Sequence, residues 1–318
     1  MSNTTSHGSA PRVLFMGMVG AFSTPSLLAL LDSGVEVCAV VLPARAASKD
    51  SPPVRSLEPL PRVGSLPVLS SSLHSSIVNI AWERSIPVWE VSRMNDVATH
   101  ALCASYSPDL FCVACFSLYI PRAILDIPRL GCLNVHPSLL PSHRGPDPLF
   151  WTFHQGSCET GVTIHLMDEG LDTGPMVAQE RIDVPEGITY AQLEARCAQL
   201  GGKLLVRSVW ELFNGTARTR PQDEAKSSYL PMPTSEDYVV PVREWPAERV
   251  YRFVRGVASR EQPVTLFVED EPIRVKNAIS YSHKDAKDHD DLETVNLVGE
   301  TRQVRCKDGW VRVMLVWR

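Results

Sequence analysis

The sequence is short of basic charge. Lys and Arg total 31 against 36 for Asp and Glu, a formal net charge of -5 over 318 residues. That excludes a nucleic-acid coat held by bulk positive charge, because phosphate binding needs an excess of cations. A local basic patch stays compatible with it. Long apolar runs are also missing: no stretch approaches the roughly 20 apolar residues that cross a bilayer, so no membrane partner is expected. Residues 1–10 are rich in Ser and Thr and hold no apolar secretory core, which points to a polar, disordered tail and a cytoplasmic protein. A disulfide framework is missing as well. The eight cysteines are scattered and mostly sit in apolar surroundings, as buried thiols under reducing conditions do. Cys112 and Cys115 form a C-x-x-C, either a redox or metal pair or two small residues of a buried strand. No second pair lies at zinc spacing, so the buried strand is the preferred reading and no metal is expected. There is no internal repeat.

What is present is an ordinary globular mix, 44% hydrophobic and 21% charged, in a chain long enough for two domains. Residues 12–16 (RVLFM) read as a buried strand. A two-glycine turn follows, then Thr24 as N-cap, Pro25 at the first helical position and a helix that Gly34 stops. Residues 35–42 are a second apolar strand, which completes a βαβ unit with parallel pairing. The turn reads Gly17-Met-Val-Gly20 rather than G-x-G-x-x-G, so a nicotinamide cofactor has little support. Residues 43–76, rich in Pro and Ser and carrying Arg45, Lys49, Arg55 and Arg62, form a functional loop or an insert.

Beyond the insert, residues 86–89 read as a short strand, and 110–116 as the continuous apolar strand at the centre of a parallel sheet. Further strands are expected at 132–135, 160–167 and 175–182, and helices at 95–106, 121–127, 148–155 and 189–213. Gly201-Gly202 weakens the middle of the last helix. Residues 215–233 are polar with prolines and read as a linker. Short strands then recur at 238–242, 264–268, 273–275, 295–298, 304–306 and 311–316, with one helix at 246–255 and a charged loop at 282–291. The expected class is α/β, with an open, mostly parallel sheet over 11–214 and a smaller β-barrel or sandwich over 234–318.

Chemistry concentrates in one stretch. Asn134 and His136 are two apart near the end of a buried strand and so project to the same side. Open α/β sheets place ligands at the carboxyl ends of their strands. A proline-bounded loop from Pro137 to Pro141 follows, then Arg144-Gly145, a charge on a tight turn. Later comes Asp168-Glu-Gly-Leu-Asp172-Thr-Gly174, whose glycines permit a bend that turns Asp172 inward. Singly, each of these residues has a structural explanation. Together, an amide can donate to an oxyanion, an imidazole can take a proton near neutral pH, and a carboxylate can orient that imidazole. No Ser or Cys nucleophile is needed where an amine substrate supplies the attacking atom.

The segment Gly131-Cys-Leu-Asn134-Val-His136-Pro-Ser-Leu-Leu-Pro141-Ser-His-Arg144-Gly145 resembles the signature of the 10-formyltetrahydrofolate-dependent formyltransferases. So do Glu159-Thr-Gly-Val-Thr-Ile164 with Met167-Asp-Glu-Gly-Leu-Asp172-Thr-Gly174, and Phe116-Ser-Leu-Tyr-Ile-Pro121, which is similar to the loop beside the pterin. The two-domain layout most resembles the methionyl-tRNA formyltransferases. The resemblance implies a Rossmann-like catalytic domain and an OB-like C-terminal barrel, with direct attack of an acceptor amine on the formyl carbon. Asn134 would stabilise the oxyanion, His136 would assist proton removal and Asp172 would orient it. Ser117, Leu118, Tyr119, Ile120, Ser138, Leu139 and Leu140 would line the pocket of the folate cosubstrate. Arg144 and Arg45 would meet the acceptor, initiator methionyl-tRNA as the leading expectation, a small amine such as an amino sugar nucleotide as the alternative, or water in a hydrolase. Asp147 puts an acid near the acceptor mouth, unfavourable to a phosphate-rich substrate.

Overall fold

The apolar runs assemble into an eight-stranded sheet in the computed structural model, which describes residues 10–44, 51–59, 76–260, 262–268, 271–283 and 301–316. Its strands are β1 (Arg12–Gly17), β2 (Glu36–Pro43), β3 (Val54–Ser56), β4 (Val88–Val91), β5 (Leu110–Ala114), β6 (Cys132–His136), β7 (Glu159–Leu166) and β8 (Met176–Asp183). Their order is β3-β4-β2-β1-β5-β6-β7-β8. The five strands from β4 to β6 pair in parallel, whereas β3 is antiparallel to β4 and β7 to β6. Every residue of β5 is buried, as a central strand covered on both faces requires. The helices of this part are α1 (Ser23–Asp32), α2 (Ile77–Glu83), α3 (Val97–Ser105), α4 (Arg122–Leu125), α5 (Pro148–His154) and α6 (Tyr190–Phe213).

The expected βαβ unit is present, with one correction at its turn. α1 starts at Ser23, with Phe22 in the capping position, rather than after a Thr24 cap. The Ser23 hydroxyl accepts from the Met18 amide at 3.0 Å and donates to the Ala114 carbonyl at 2.6 Å, tying the first turn to the end of β5. Thr24 donates to the Gly20 carbonyl at 3.1 Å instead. Of the insert, residues 51–59 are described and include the edge strand β3, which no periodicity announced. Arg45 and Arg62, the strand expected at 295–298 and most of the loop expected at 282–291 lie outside the described residues.

The C-terminal sheet has β9 (Val239–Val240), β10 (Val264–Val268), β11 (Glu271–Ser282), β12 (Thr301–Arg305) and β13 (Trp310–Leu315), in the order β12-β13-β11-β10-β9. Helix α7 (Ala247–Val257) precedes β10 and packs against β11 and β13. Phe253 of α7 is buried among Phe150, His154, Tyr238 and Trp245. The chain forms two compact units that interleave along the sequence. One holds the described residues of Met1–Ser142, Val162–Glu180 and Ala195–Ser227, the other those of His143–Gly161, Arg181–Glu194 and Ser228–Arg318.

All eight cysteines are without disulfides, and six are buried. Burial pushes the Cys38 thiol up to about 11 and the Cys103 thiol up to about 12, so neither is a ready nucleophile. Cys112 is buried in β5 whereas Cys115 is exposed beyond its end, which separates the two thiols of the C-x-x-C. Among the described residues no helix is long and apolar enough to cross a membrane.

Candidate active site

The direction of crossover reverses between β1 and β5, so their carboxyl ends mark the switch point, where open sheets bind ligands, and β6 lies beside β5. β6 carries Asn134 and His136 to this edge. Its antiparallel neighbour β7 places His165 directly opposite Asn134 and Thr163 opposite His136. Asp172 arrives from the loop between β7 and β8. It sits at φ +55, a left-handed conformation that only bracing keeps populated in a residue other than glycine.

The bracing is visible. The Asp168 carboxylate accepts from the Gly170 amide at 3.1 Å and from the Thr173 hydroxyl at 2.6 Å, closing the loop on itself. Gly174 packs so tightly that a Cβ there would lie 1.8 Å from the Leu166 carbonyl oxygen. The Met176 amide donates to the Arg220 carbonyl and the Arg220 amide to that of Met176, both at 2.8 Å. Gln222 donates through Nε2 to the Asp172 carbonyl at 2.7 Å and to the Gly174 carbonyl at 2.8 Å.

The three expected residues thus meet. Asp172 Oδ1 lies 3.6 Å from His136 Nδ1 and 3.4 Å from Asn134 Nδ2. His136 and Asp172 are buried and Asn134 is half-buried. The Asp172 carboxylate thus faces one ring nitrogen of His136, where it can orient the imidazole. The site holds a fourth member that the sequence reading missed. His165 Nε2 is 3.5 Å from the same Oδ1 and 3.2 Å from Asn134 Nδ2. Its Nδ1 faces the Leu166 carbonyl at 3.1 Å and therefore carries the hydrogen. In the neutral ring that leaves Nε2 as the acceptor of an Asn134 hydrogen, which fixes the amide's orientation. The signal for His165 was its place on the strand leading into the Asp172 loop. Its pairing with Asn134 depends on an antiparallel register that no residue spacing reveals.

The expected pocket residues divide by exposure. After β5 the chain turns at Cys115, φ +57, and runs past the strand end. Ser117 and Tyr119 are exposed there, Leu118 is half-buried against the core, and Ile120 belongs to the core. In the loop after β6, the Ser138 hydroxyl donates to the Ser142 carbonyl at 2.7 Å, while its own carbonyl accepts from the Thr163 hydroxyl at 2.7 Å. The Leu140 amide donates to Thr163 Oγ1 at 3.2 Å, and the Leu140 carbonyl accepts from Gln179 at 2.8 Å. Ser138 and Leu140 are buried and shape the loop; Leu139 between them is half-buried.

Arg144 belongs to the second unit and is 7% exposed. Its amide donates to the Ser228 carbonyl at 2.8 Å and its carbonyl accepts from the Leu230 amide at 2.9 Å, so residues 228–230 run alongside it. Asp147 is not an open negative charge. It caps α5 through the Phe150 amide at 3.2 Å, accepts from the Tyr190 hydroxyl at 3.0 Å and pairs with Arg260 at 2.8 Å, itself 7% exposed. Desolvation, helped by Asp147 and only partly opposed by Arg260, raises the pKa of neighbouring Glu194.

The chain is similar to known proteins in sequence and in fold. Residues 45–209 match the family described as formyl transferase, and residues 234–317 match its C-terminal domain. A methionyl-tRNA formyltransferase from Pelobacter propionicus is 35% identical over 79% of this chain and 72% of its own length. One from Chlamydia muridarum is 29% identical over 96% and 91%. Among solved structures, an N-formyltransferase from Helicobacter canadensis in complex with folinic acid and dTDP-3-aminofucose superposes with a TM-score of 0.61 at 14% identity, covering 97% of this chain and 100% of that one.

Proposed function

Because this chain belongs to the formyl transferase family, we propose that it moves the formyl group of 10-formyltetrahydrofolate to the methionyl amine of charged initiator tRNA, a cytoplasmic reaction. The observation that carries the reading is the gathering of Asn134, His136 and Asp172 at the carboxyl end of β6. The folate substrate supplies an activated formyl carbon, and the acceptor amine is the nucleophile. The chain therefore needs only an oxyanion donor, a proton acceptor and a counter-charge. Asn134 Nδ2 serves as the donor, exchanging its long 3.4 Å contact with Asp172 for the developing oxyanion. His136 receives the amine proton at Nε2, the ring nitrogen turned away from Asp172, and the carboxylate balances the charge that results. The strand-end residues fit a flat donor: Leu118 and Tyr119 offer apolar and aromatic faces and Ser117 a hydroxyl.

Two observations favour tRNA as acceptor. Relatives at 35% and 29% identity carry that name. The outer face of the C-terminal sheet is also basic. Val275, Val304, Val311 and Val313 turn inward and are buried. Arg274, in register with Thr265, and Arg312, in register with Gln303 and Ser280, point the opposite way. Arg305 stands over the Trp310 ring at 5.2 Å on the same face. The acid of these strands, Glu271, falls in register with the buried set. A row of cations beside an indole suits phosphates and an unstacked base.

The test offers 10-formyltetrahydrofolate with charged initiator tRNA, amino sugar nucleotides or no amine, and reads the mass gain of one formyl group. Formylated methionyl-tRNA is expected, with His136→Ala and Asp172→Ala each slowing it about 100-fold or more. Transfer to the sugar amine alone, formate release without any amine, or either variant at wild-type rate would overturn the corresponding part of the reading.

A further inference from the structure

We propose that Gln222, in the segment between the two sheets, is a positioning residue for Asp172 and so part of the machinery of formyl transfer. The inference rests on the role given to Asp172 above. A single side-chain NH2 donates both of its hydrogens to carbonyls two residues apart, Asp172 at 2.7 Å and Gly174 at 2.8 Å. The Asp172 carbonyl belongs to the peptide unit that sets ψ of Asp172, and the span from it to the Gly174 carbonyl covers both backbone dihedrals of Thr173. Asp172 is held at φ +55, where its side chain has to come off the loop at one angle to reach His136. A non-glycine residue in this region is strained, and without bracing the loop relaxes toward extended conformations. Relaxation would swing Oδ1 away from His136 without unfolding anything.

The segment is anchored for this task. Two residues upstream, Arg220 makes reciprocal amide-to-carbonyl hydrogen bonds with Met176 at 2.8 Å each. The backbone two residues before Gln222 is thereby pinned against the end of the loop. Asp168 and Gly174 fix the loop at its start and end, while Gln222 grips it at the catalytic residue itself. Residues 215–233 read as a linker from composition, yet this part of them bonds to the backbone of the loop that bears the catalytic acid.

The chemistry of the grip is specific. Among uncharged side chains only a primary amide supplies two hydrogens to two carbonyls, and glutamine has the reach. Glutamate is isosteric but sets a negative charge against both carbonyls when ionised, and regains one donor when protonated. Asparagine keeps the amide but falls one methylene short.

The full-length chain is assayed with 10-formyltetrahydrofolate and charged tRNA. Gln222→Ala is expected to lower kcat at least tenfold while KM for both substrates stays within twofold, because the folate and acceptor contacts are untouched. Gln222→Glu is expected to be more impaired than Gln222→Ala at pH 8, and its rate relative to wild type is expected to rise as the pH falls toward 5. Should the alanine variant fail to fold, Gln222→Asn reads the same kcat-against-KM split. Wild-type kcat in a folded Gln222→Ala or Gln222→Asn variant, a loss confined to KM, or a Gln222→Glu ratio that is flat with pH would overturn the proposal. Asp172→Ala, assayed alongside, keeps this failure separate from failure of the mechanism. If Asp172→Ala is fully active the mechanism is wrong, whereas an inactive Asp172→Ala beside an active Gln222→Ala removes only the role of Gln222.

Discussion

At the scale of single residues, the site rests on one carboxylate oxygen with three nitrogen neighbours, at 3.4, 3.5 and 3.6 Å. Such an oxygen cannot serve all three equally, and the hydrogen positions decide the sharing. In its neutral form His165 donates from Nδ1 to Leu166 and accepts at Nε2 from Asn134, so its contribution passes through the amide. Replacing it with leucine removes that acceptor and frees the amide to rotate. A neutral hydrogen bond contributes about 0.5–1.5 kcal/mol net, which converts to roughly twofold to tenfold in rate if it is felt in the transition state. His165→Leu is accordingly expected to lower kcat about threefold to tenfold with little change in KM, measured by steady-state formylation. Unchanged kcat would show that Asn134 keeps its orientation without His165. The gathering of Asn134, His136 and Asp172, the trio proposed for catalysis, was legible in the sequence because Asn134 and His136 are two apart on a strand and Asp172 lies in a glycine-bounded turn. His165 and Gln222 were not. Both reach the site through pairings across chain separations of 31 and 50 residues, which local pattern does not encode.

At the scale of elements, the two glycines inside α6 show composition and packing giving opposite answers. Propensity reads Gly201-Gly202 as a weak point, since glycine in a helix interior is about 1 kcal/mol less favourable than alanine. The packing needs them small. A Cβ on Gly202 would lie 2.8 Å from the Pro25 carbonyl oxygen and 3.1 Å from the Ala29 Cβ of α1, and one on Gly201 would lie 2.6 Å from Val135 of β6. Backbone cannot step aside as a flexible side chain can, and overpacking costs about 1–3 kcal/mol. Gly202→Ala is expected to lower stability by about 1–2 kcal/mol in denaturant or thermal melting, despite the gain in helix propensity. Gly20→Ala is a control, as nothing lies within 4 Å of its would-be Cβ, and should be close to neutral. A Gly202→Ala protein at or above wild-type stability would mean that α1 shifts freely against α6. Strands β1, β2 and β5 were legible for the converse reason: buried on nearly every residue, they announce themselves as unbroken apolar runs. Three-residue β3 offers no such run, and its place at the sheet edge is fixed by pairing with β4.

At the scale of the whole molecule, the net charge of -5 is a poor guide to the acceptor, because charge is arranged and not only summed. Asp147, which by sequence opposes a phosphate-rich substrate, is buried and paired with Arg260. Meanwhile Arg274, Arg305 and Arg312 collect on one face of the C-terminal sheet through strand alternation and register together. Alternation was readable in each strand, but that three strands turn their cations the same way depends on register. If this face meets the tRNA backbone, each arginine in contact with a phosphate releases counterions on binding. The logarithm of affinity should then fall with the logarithm of salt, and each lost contact should flatten the slope by about one. Arg274→Gln/Arg305→Gln/Arg312→Gln is expected to reduce that slope by about 2–3 and raise KM for charged tRNA, with kcat at saturation within about twofold of wild type because none of the three belongs to the catalytic cluster. Titration of tRNA binding between 50 and 300 mM salt reads the slope directly. An unchanged slope would move the tRNA to another surface, whereas a flattened slope with intact kcat would assign formyl transfer to the first sheet and capture of the tRNA backbone to the second.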